Sequence, residues 1–347
     1  MCRCLRLQSL IRQAPMMSGS RKTSRRPAFA IERVIGANHL RSGKPCQDEV
    51  GVCAVADTVA VAVADGHGTS KHADVGARLA VHVTLAALVR FAEDLGERAS
   101  NLMEVQKYAE HPLRVQIVRE WMARVRAKAG DDETPLLDYG STILAALATP
   151  DFLLVGQLGD GDILLVAEDG TVDVPLPADP AAFADETSSL CLPEAEHLFR
   201  VRVLPAPSQE TLLLLSTDGY SKSYSTEAAF RKIGPDYLDL VRKDGMCGLN
   251  LRGFLEQVTA RGAGDDIGLA LLYWLPLASR SAADSPIIRS DSTPLIESNR
   301  TATEKPVETE SDESSQGNVA AKSNSRIVRC FRVVLGRVMR TIKIKKS

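Results

Sequence analysis

Aspartate recurs at the ends of apolar runs in this sequence, each time beside glycine or a second acid. "VAVAVADG" delivers Asp65, "LLVGQLGDGD" delivers Asp160 and Asp162, and "LLLLSTDG" delivers Asp218. "GAGDDIGLALL" sets Asp265 and Asp266 just ahead of an apolar run, and Asp48 in "GKPCQDEVGV" stands in the same relation to another. Taken singly, Asp-Gly after a strand is a hairpin-turn signal. Taken together, several strands delivering carboxylates to a common edge create a like-charge repulsion that protonation or cations must relieve. Carboxylates with backbone carbonyls and water suit hard ions, Mg²⁺ or Mn²⁺ rather than zinc. Two such ions about 4 Å apart acidify a bridging water for in-line attack on a phosphoryl centre. His67 fits that chemistry as a general acid, because a leaving alkoxide needs a proton and histidine titrates near working pH; a surface turn histidine has the same local sequence. His72 and His82 fall in a helical pattern, and His39, His111 and His197 lie apart, none at metal-ligand spacing from another.

Strands and helices must carry these residues to one place. Period-two or continuous apolar runs predict strands over Ala28–Ile35, Gly51–Ala56, Thr58–Ala64, Gly140–Ala148, Phe152–Leu158, Ile163–Ala167, Leu198–Val203, Thr211–Ser216 and Ile267–Trp274. Helical patterns run from Ala73 to Leu95 and from Leu102 to Ala129, the second interrupted near Pro112, with shorter ones near Thr226–Ile233, Pro235–Lys243 and Leu249–Ala260. Strands outnumber crossovers, which favours an α+β sandwich of antiparallel sheets faced by helices over a doubly wound parallel sheet.

A hydrophobic fraction of 44% over 347 residues supports a real core. Lys plus Arg (42) nearly balances Asp plus Glu (44), so total charge gives no case for nucleic acid as a partner. The seven cysteines are scattered and form no C-x-x-C pair, which argues against a disulfide framework or a structural zinc site. With no signal-peptide pattern and no apolar run judged long enough to cross a bilayer, the sequence reads as cytoplasmic. Residues 1–26 carry seven basic residues and no acidic one, and read as a flexible arm. Residues 27–278 read as one domain, and 279–324, rich in Ser, Thr, Glu and Pro, as a disordered linker. In residues 325–347, Arg326, Arg329, Arg332, Arg337, Arg340 and Lys343 gather on one helical half and Ile327, Phe331, Val334, Leu335, Val338 and Ile342 on the other. Such a basic amphipathic segment suits an anionic membrane surface or an acidic partner groove.

Seven elements occur in a set order: "GKPCQDE", "VADGHGTS", "YGSTILAAL", "VGQLGDGDILLV", "FADETSSL", "LLLLSTDGY" and "GDDIGLALL". From Ala28 to about Trp274 they resemble the metal-dependent serine/threonine protein phosphatases of the 2C type, particularly their compact bacterial branch. The resemblance implies a four-layer α-β-β-α sandwich with two central antiparallel sheets and a centre of two Mn²⁺ or Mg²⁺ ions. It implies hydrolysis of phosphoserine and phosphothreonine by a metal-activated water, a phosphoprotein substrate, and a Ser/Thr kinase as opponent in signal transduction. Carried over by position, Asp48, Asp65, Asp218 and Asp265 match the metal aspartates and the Gly66 carbonyl a backbone ligand. Asp160 matches the residue that, with Asp218, binds a weaker third ion, and His67 matches the general acid. Gln47 and Asp266 stand behind the ligands, Gln47 in place of a common glutamate. Gly43 takes the place of a phosphate-gripping arginine, which leaves Arg41 and Lys44 for that task, and Gly268 replaces a usual Ser or Thr as a packing change. These departures keep open a second reading, a catalytically weak phosphatase-like scaffold that binds phosphoproteins.

Overall fold

A computed structural model describes residues 26–130, 136–177 and 188–275; the linker and basic tail expected beyond residue 278, and all but the last residue of the N-terminal arm, lie outside the described residues. The strands are β1 Ala28–Val34, β2 Glu49–Val55, β3 Thr58–Ala64, β4 Ile143–Ala148, β5 Phe152–Leu158, β6 Asp162–Ala167, β7 Val172–Asp173, β8 Arg200–Pro205, β9 Thr211–Ser216 and β10 Ile267–Trp274. The helices are α1 Ala37–Ser42, α2 Ala73–Leu95, α3 Leu102–Tyr108, α4 Arg114–Ala129, α5 Ala195–Leu198, α6 Asp218–Ser221, α7 Glu227–Arg231, α8 Ile233–Asp244 and α9 Leu251–Arg261. They build two antiparallel five-stranded sheets, ordered β1-β10-β9-β6-β7 and β2-β3-β4-β5-β8.

Side-chain alternation sets the layers. In β3, Val59, Val61 and Val63 enter the core between the sheets, where they meet Leu213 and Leu215 of β9 and Ala270 and Leu272 of β10. Ala60, Ala62 and Ala64 face the other way and join Ala77, Ala80, Ala87 and Leu88 of α2, so a small-residue strand face receives a small-residue helix face at close range. On the far side, Leu212, Leu214, Leu269 and Leu271 pack under α8 and α9. The result is the expected order of helices, sheet, sheet and helices, with both sheets covered on both faces.

Several boundaries differ from the sequence reading. The run Ala73–Ser100 is, among the described residues, the one helix long and apolar enough to span a bilayer, although no such run was expected. Its apolar side is taken up by the sheet that contains β2, β3 and β4. Pro112 does not break the second helical run, because a single π-helical turn, Ala109–Leu113, joins α3 to α4 there. The stretch Leu198–Val203 becomes a helical turn followed by β8, since Phe199 N–H closes onto the Ala195 carbonyl. β4 starts at Ile143 rather than Gly140 because Gly140–Thr142 bonds to the loop after β3 instead.

Candidate metal centre

Register carries the acids to one end of the sandwich. Glu49 pairs with Ala64 across β2 and β3, so Asp48 and Asp65 flank the same end of that pair. In the other sheet Ser216 pairs with Leu269, which sets Asp218 just past β9 and Asp265 just before β10. Asp160 lies in the connection from β5 in one sheet to β6 in the other. Asp65, Asp160, Asp218 and Asp265 line a cavity of about 170 Å³ together with Gly66, His67, Gln47 and Asp266. Asp162 does not line it: as the first residue of β6 it pairs with Ser216 and its carboxyl bonds to Ser221.

The backbone around Asp65 is pinned on both sides. Asp65 N–H donates to Thr142 Oγ1 at 3.0 Å, and Thr142 N–H returns a bond to the Asp65 carbonyl at 2.8 Å. Gly66 N–H donates to the Gln47 carbonyl at 3.1 Å, tying the loop after β3 to the segment that holds Asp48. A Cβ on Gly66 would stand 2.6 Å from the Ala73 carbonyl oxygen and 2.8 Å from that of Gln47, so only glycine fits between these two segments. His67 N–H donates to the Gly140 carbonyl at 3.0 Å, while its Nε2 is buried with no hydrogen-bond partner.

A second set of bonds supports the acids from behind. Asp48, 2% exposed, accepts from Thr217 Oγ1 at 2.7 Å, and that oxygen accepts from Gly268 N–H at 2.8 Å. Gly268 therefore takes part in orienting Asp48, beyond the packing role expected for it. Asp266 accepts from Gly36 N–H at 2.5 Å and Gln47 N–H at 2.6 Å, and its Oδ2 lies 2.9 Å from His39 Nδ1. His39, set aside in the sequence, thus lines the cavity. No motif marks it; its only signal is its nearness to "GKPCQDE". Arg41 is exposed and bonds to Asn38, Lys44 is exposed, and neither lines the cavity. The one lysine or arginine that does, among the described residues, is Lys222, whose Nζ pairs with Asp218 Oδ2. The sequence reading missed it, although Asp218 to Lys222 is a helical i,i+4 spacing.

The electrostatics are those of crowded carboxylates. Burial, then the charge of Asp266, pushes the Asp48 pKa well above the usual range, against the Thr217 hydrogen bond. Burial and the charges of Asp48 and Asp218 do the same to Asp65. Burial and Asp160 push Asp218 up to about 7, opposed by the hydrogen bond from Lys222. Burial lowers the His67 pKa, with Asp160 working against it. Asp218 Oδ1 is buried without a partner. An all-oxygen donor set, held at unfavourable mutual repulsion with an orphaned carboxylate oxygen, fits a hard divalent cation. As they stand, no three His, Cys, Asp or Glu side chains among the described residues enclose an ion by themselves.

This arrangement has a sign that can be measured without metal. A carboxyl whose pKa is raised on folding binds its proton more tightly in the folded than in the unfolded chain. Stability of the metal-free protein is therefore expected to fall as pH rises from the ordinary carboxylate range, near 3.8, through about 7 for Asp218. His67, with a lowered pKa, acts in the opposite sense below its ordinary value of 6.5, but it is one group against three raised aspartates. In chelator, the melting temperature should be higher at about pH 5.5 than at about pH 7.5, and Mn²⁺ should reverse that order. A melting temperature in chelator that rises across this window contradicts the crowded-carboxylate account.

Comparison with known proteins gives concordant matches. A sequence model of the family described as protein phosphatase 2C matches residues 35–256, well over half of the chain and short of Asp265. Serine/threonine-protein phosphatase 3 of Escherichia coli (strain K12) is 24% identical over 193 residues, covering 54% of this chain and 71% of that protein. Among solved structures, the catalytic domain of the serine/threonine protein phosphatase PstP in complex with 2 manganese ions is 20% identical, over 72% of this chain and 98% of that one, with a TM-score of 0.45. The S. agalactiae serine/threonine phosphatase is 17% identical over 72% and 99% respectively, with a TM-score of 0.47.

Proposed function

This chain belongs to the protein phosphatase 2C family, and we propose that it is a metal-dependent enzyme that hydrolyses phosphoserine and phosphothreonine in proteins. One observation carries the reading: acids from four separate segments face a single open cavity with the His67 imidazole at its wall. Asp48, Asp65, Asp218, Asp265 and the Gly66 carbonyl are the groups that would hold two Mn²⁺ or Mg²⁺ ions, the number named for the PstP structure. Bound there, the ions supply positive charge for the phosphoryl oxygens and an acidified water for attack on phosphorus.

The chain's own residues do the rest. The paired loops after β3 and before β2 hold the carboxylates at fixed separation, and Asp266 and Thr217 keep those loops from relaxing apart. His67 delivers a proton to the departing serine or threonine oxygen. Burial lowers its pKa, so the protonated imidazole gives up its proton more readily than a free histidine does, while the charge of Asp160 works against that shift. Lys222 and His39 are the basic groups that line the cavity, paired with Asp218 and Asp266.

The test is turnover of a phosphothreonine peptide by the full chain with Mn²⁺ against chelator. Peptide binding without Mn²⁺-dependent turnover would establish the scaffold reading instead. His67→Gln separates the roles further. It should slow the peptide about 10²-fold, because an alkoxide must be protonated as it leaves, and slow p-nitrophenyl phosphate far less, because its phenolate needs no proton. Equal losses on both substrates would remove His67 as the acid. The same reading sets a Ser/Thr kinase in opposition, and a cytoplasmic location in which residues 325–347 lie on anionic membrane. Deleting those residues is then expected to abolish salt-sensitive co-sedimentation with anionic liposomes.

A further inference from the structure

Lys222 sits where a cation is needed. α6 begins at Asp218 and turns once, so the Lys222 side chain folds back along its own turn onto the Asp218 carboxylate, where Nζ meets Oδ2. The turn is closed by Lys222 N–H donating to the Asp218 carbonyl at 2.7 Å, which fixes the base of the side chain. Asp218 is 5% exposed, its other oxygen, Oδ1, is buried without a partner, and its carboxyl is within hydrogen-bonding reach of Asp160. The ammonium therefore lies against the Asp218 carboxylate and within the fields of Asp160 and Asp265. The side chain as a whole is 56% exposed at the cavity wall, so it can be displaced without disturbing the core.

We infer that Lys222 is a tethered cation of this site: its ammonium neutralises the Asp160–Asp218 pair and holds that side of the cavity against a divalent ion. The inference rests on the metal-dependent reading above and extends it to how many ions the site takes. A single charge on a flexible stem compensates two carboxylates only in part, but it is always present at a local concentration that free metal must exceed. The chain then recruits one divalent ion fewer than its carboxylates have room for. The site is consequently less dependent on ambient metal at the Asp160 side than at the Asp65 side.

The experiment counts ions rather than turnover. Full chain stripped with chelator is titrated with Mn²⁺ by calorimetry and by equilibrium dialysis, as wild type, Lys222→Ala, Lys222→Arg and the double variant Lys222→Ala with Asp160→Asn. Lys222→Ala is expected to take up one more Mn²⁺ per chain than wild type, and to show a larger Mn²⁺-induced rise in melting temperature. Lys222→Arg, which keeps the charge, should match wild type, and the double variant should return to the wild-type count. Equal counts and affinities for wild type and Lys222→Ala overturn the inference while leaving the metal-dependent reading intact. If wild type takes up no Mn²⁺ at all, both fall together.

Discussion

Asp65→Asn and Asp218→Asn are each expected to lower Mn²⁺-supported turnover of a phosphothreonine peptide by about 10³-fold or more, with the fold retained. The two residues enter from different sheets, Asp65 at the end of β3 and Asp218 just past β9, so each anchors one half of the carboxylate cluster. Replacing either by the neutral isostere keeps its volume and removes one charge from the crowded carboxylates of the cavity. The metal-free protein should become more stable, since the largest repulsions on Asp65 come from Asp48 and Asp218 and those on Asp218 from Asp160. Higher stability in chelator together with lost activity is a joint outcome that a merely structural aspartate does not give. Thermal melts in chelator and steady-state kinetics on the same samples check both halves, and near-normal turnover by either variant refutes the assignment.

Gly219→Ala is expected to be the most damaging of the small substitutions near the site. A Cβ there would lie 2.0 Å from the Asp266 carbonyl oxygen and 3.1 Å from Asp265 Cβ, so the turn after β9 and the segment before β10 approach too closely for a side chain between them. Neither side of that contact is a flexible tip. Overpacking of this kind typically costs about 1–3 kcal/mol, and here the displacement also separates Asp218 from Asp265. Denaturant midpoints should fall accordingly, and Mn²⁺ uptake should weaken with them. Gly68→Ala is the control, because its nearest neighbour is the Gln47 Oε1 at 3.8 Å, and it should leave both readouts near wild type. Similar losses in the two variants would show that backbone entropy, and not the close approach, sets the effect.

The sandwich was legible where burial on both faces wrote itself into composition. β3 alternates valine and alanine because one face meets a sheet and the other a helix, and β9 is four leucines because both of its faces are covered. The aspartates were legible for a related reason: each follows or precedes such a strand by one or two residues, and antiparallel register then fixes which end of the sheet it reaches. What the sequence hid depends on direction and distance. Asp160 and Asp162 differ by two positions, yet the first stays in the connection at the cavity and the second is drawn into β6. His39 reaches the site because α1 turns the chain back toward Asp266, 227 residues away, and no local pattern encodes that contact. Lys222 was passed over because a lysine one turn past an aspartate is ordinary on any helix; only the crowd of acids around it gives it meaning. β7, two residues long, carries too little pattern to read.

Asp266 joins the first and last parts of the domain, bonding to Gly36 and Gln47 near its start while standing one residue before β10, which itself slots between β1 and β9. During synthesis the nascent chain therefore carries an incomplete centre until β10 has left the ribosome. Asp48 and Asp65 emerge early but wait for a partner segment some 200 residues downstream. Pairings of such separation make folding slow, and they also make it a safeguard. A chain stopped before Asp265 lacks two of the five acids that line the cavity and is expected to bind Mn²⁺ poorly and to show no turnover, so such termination yields inert fragments.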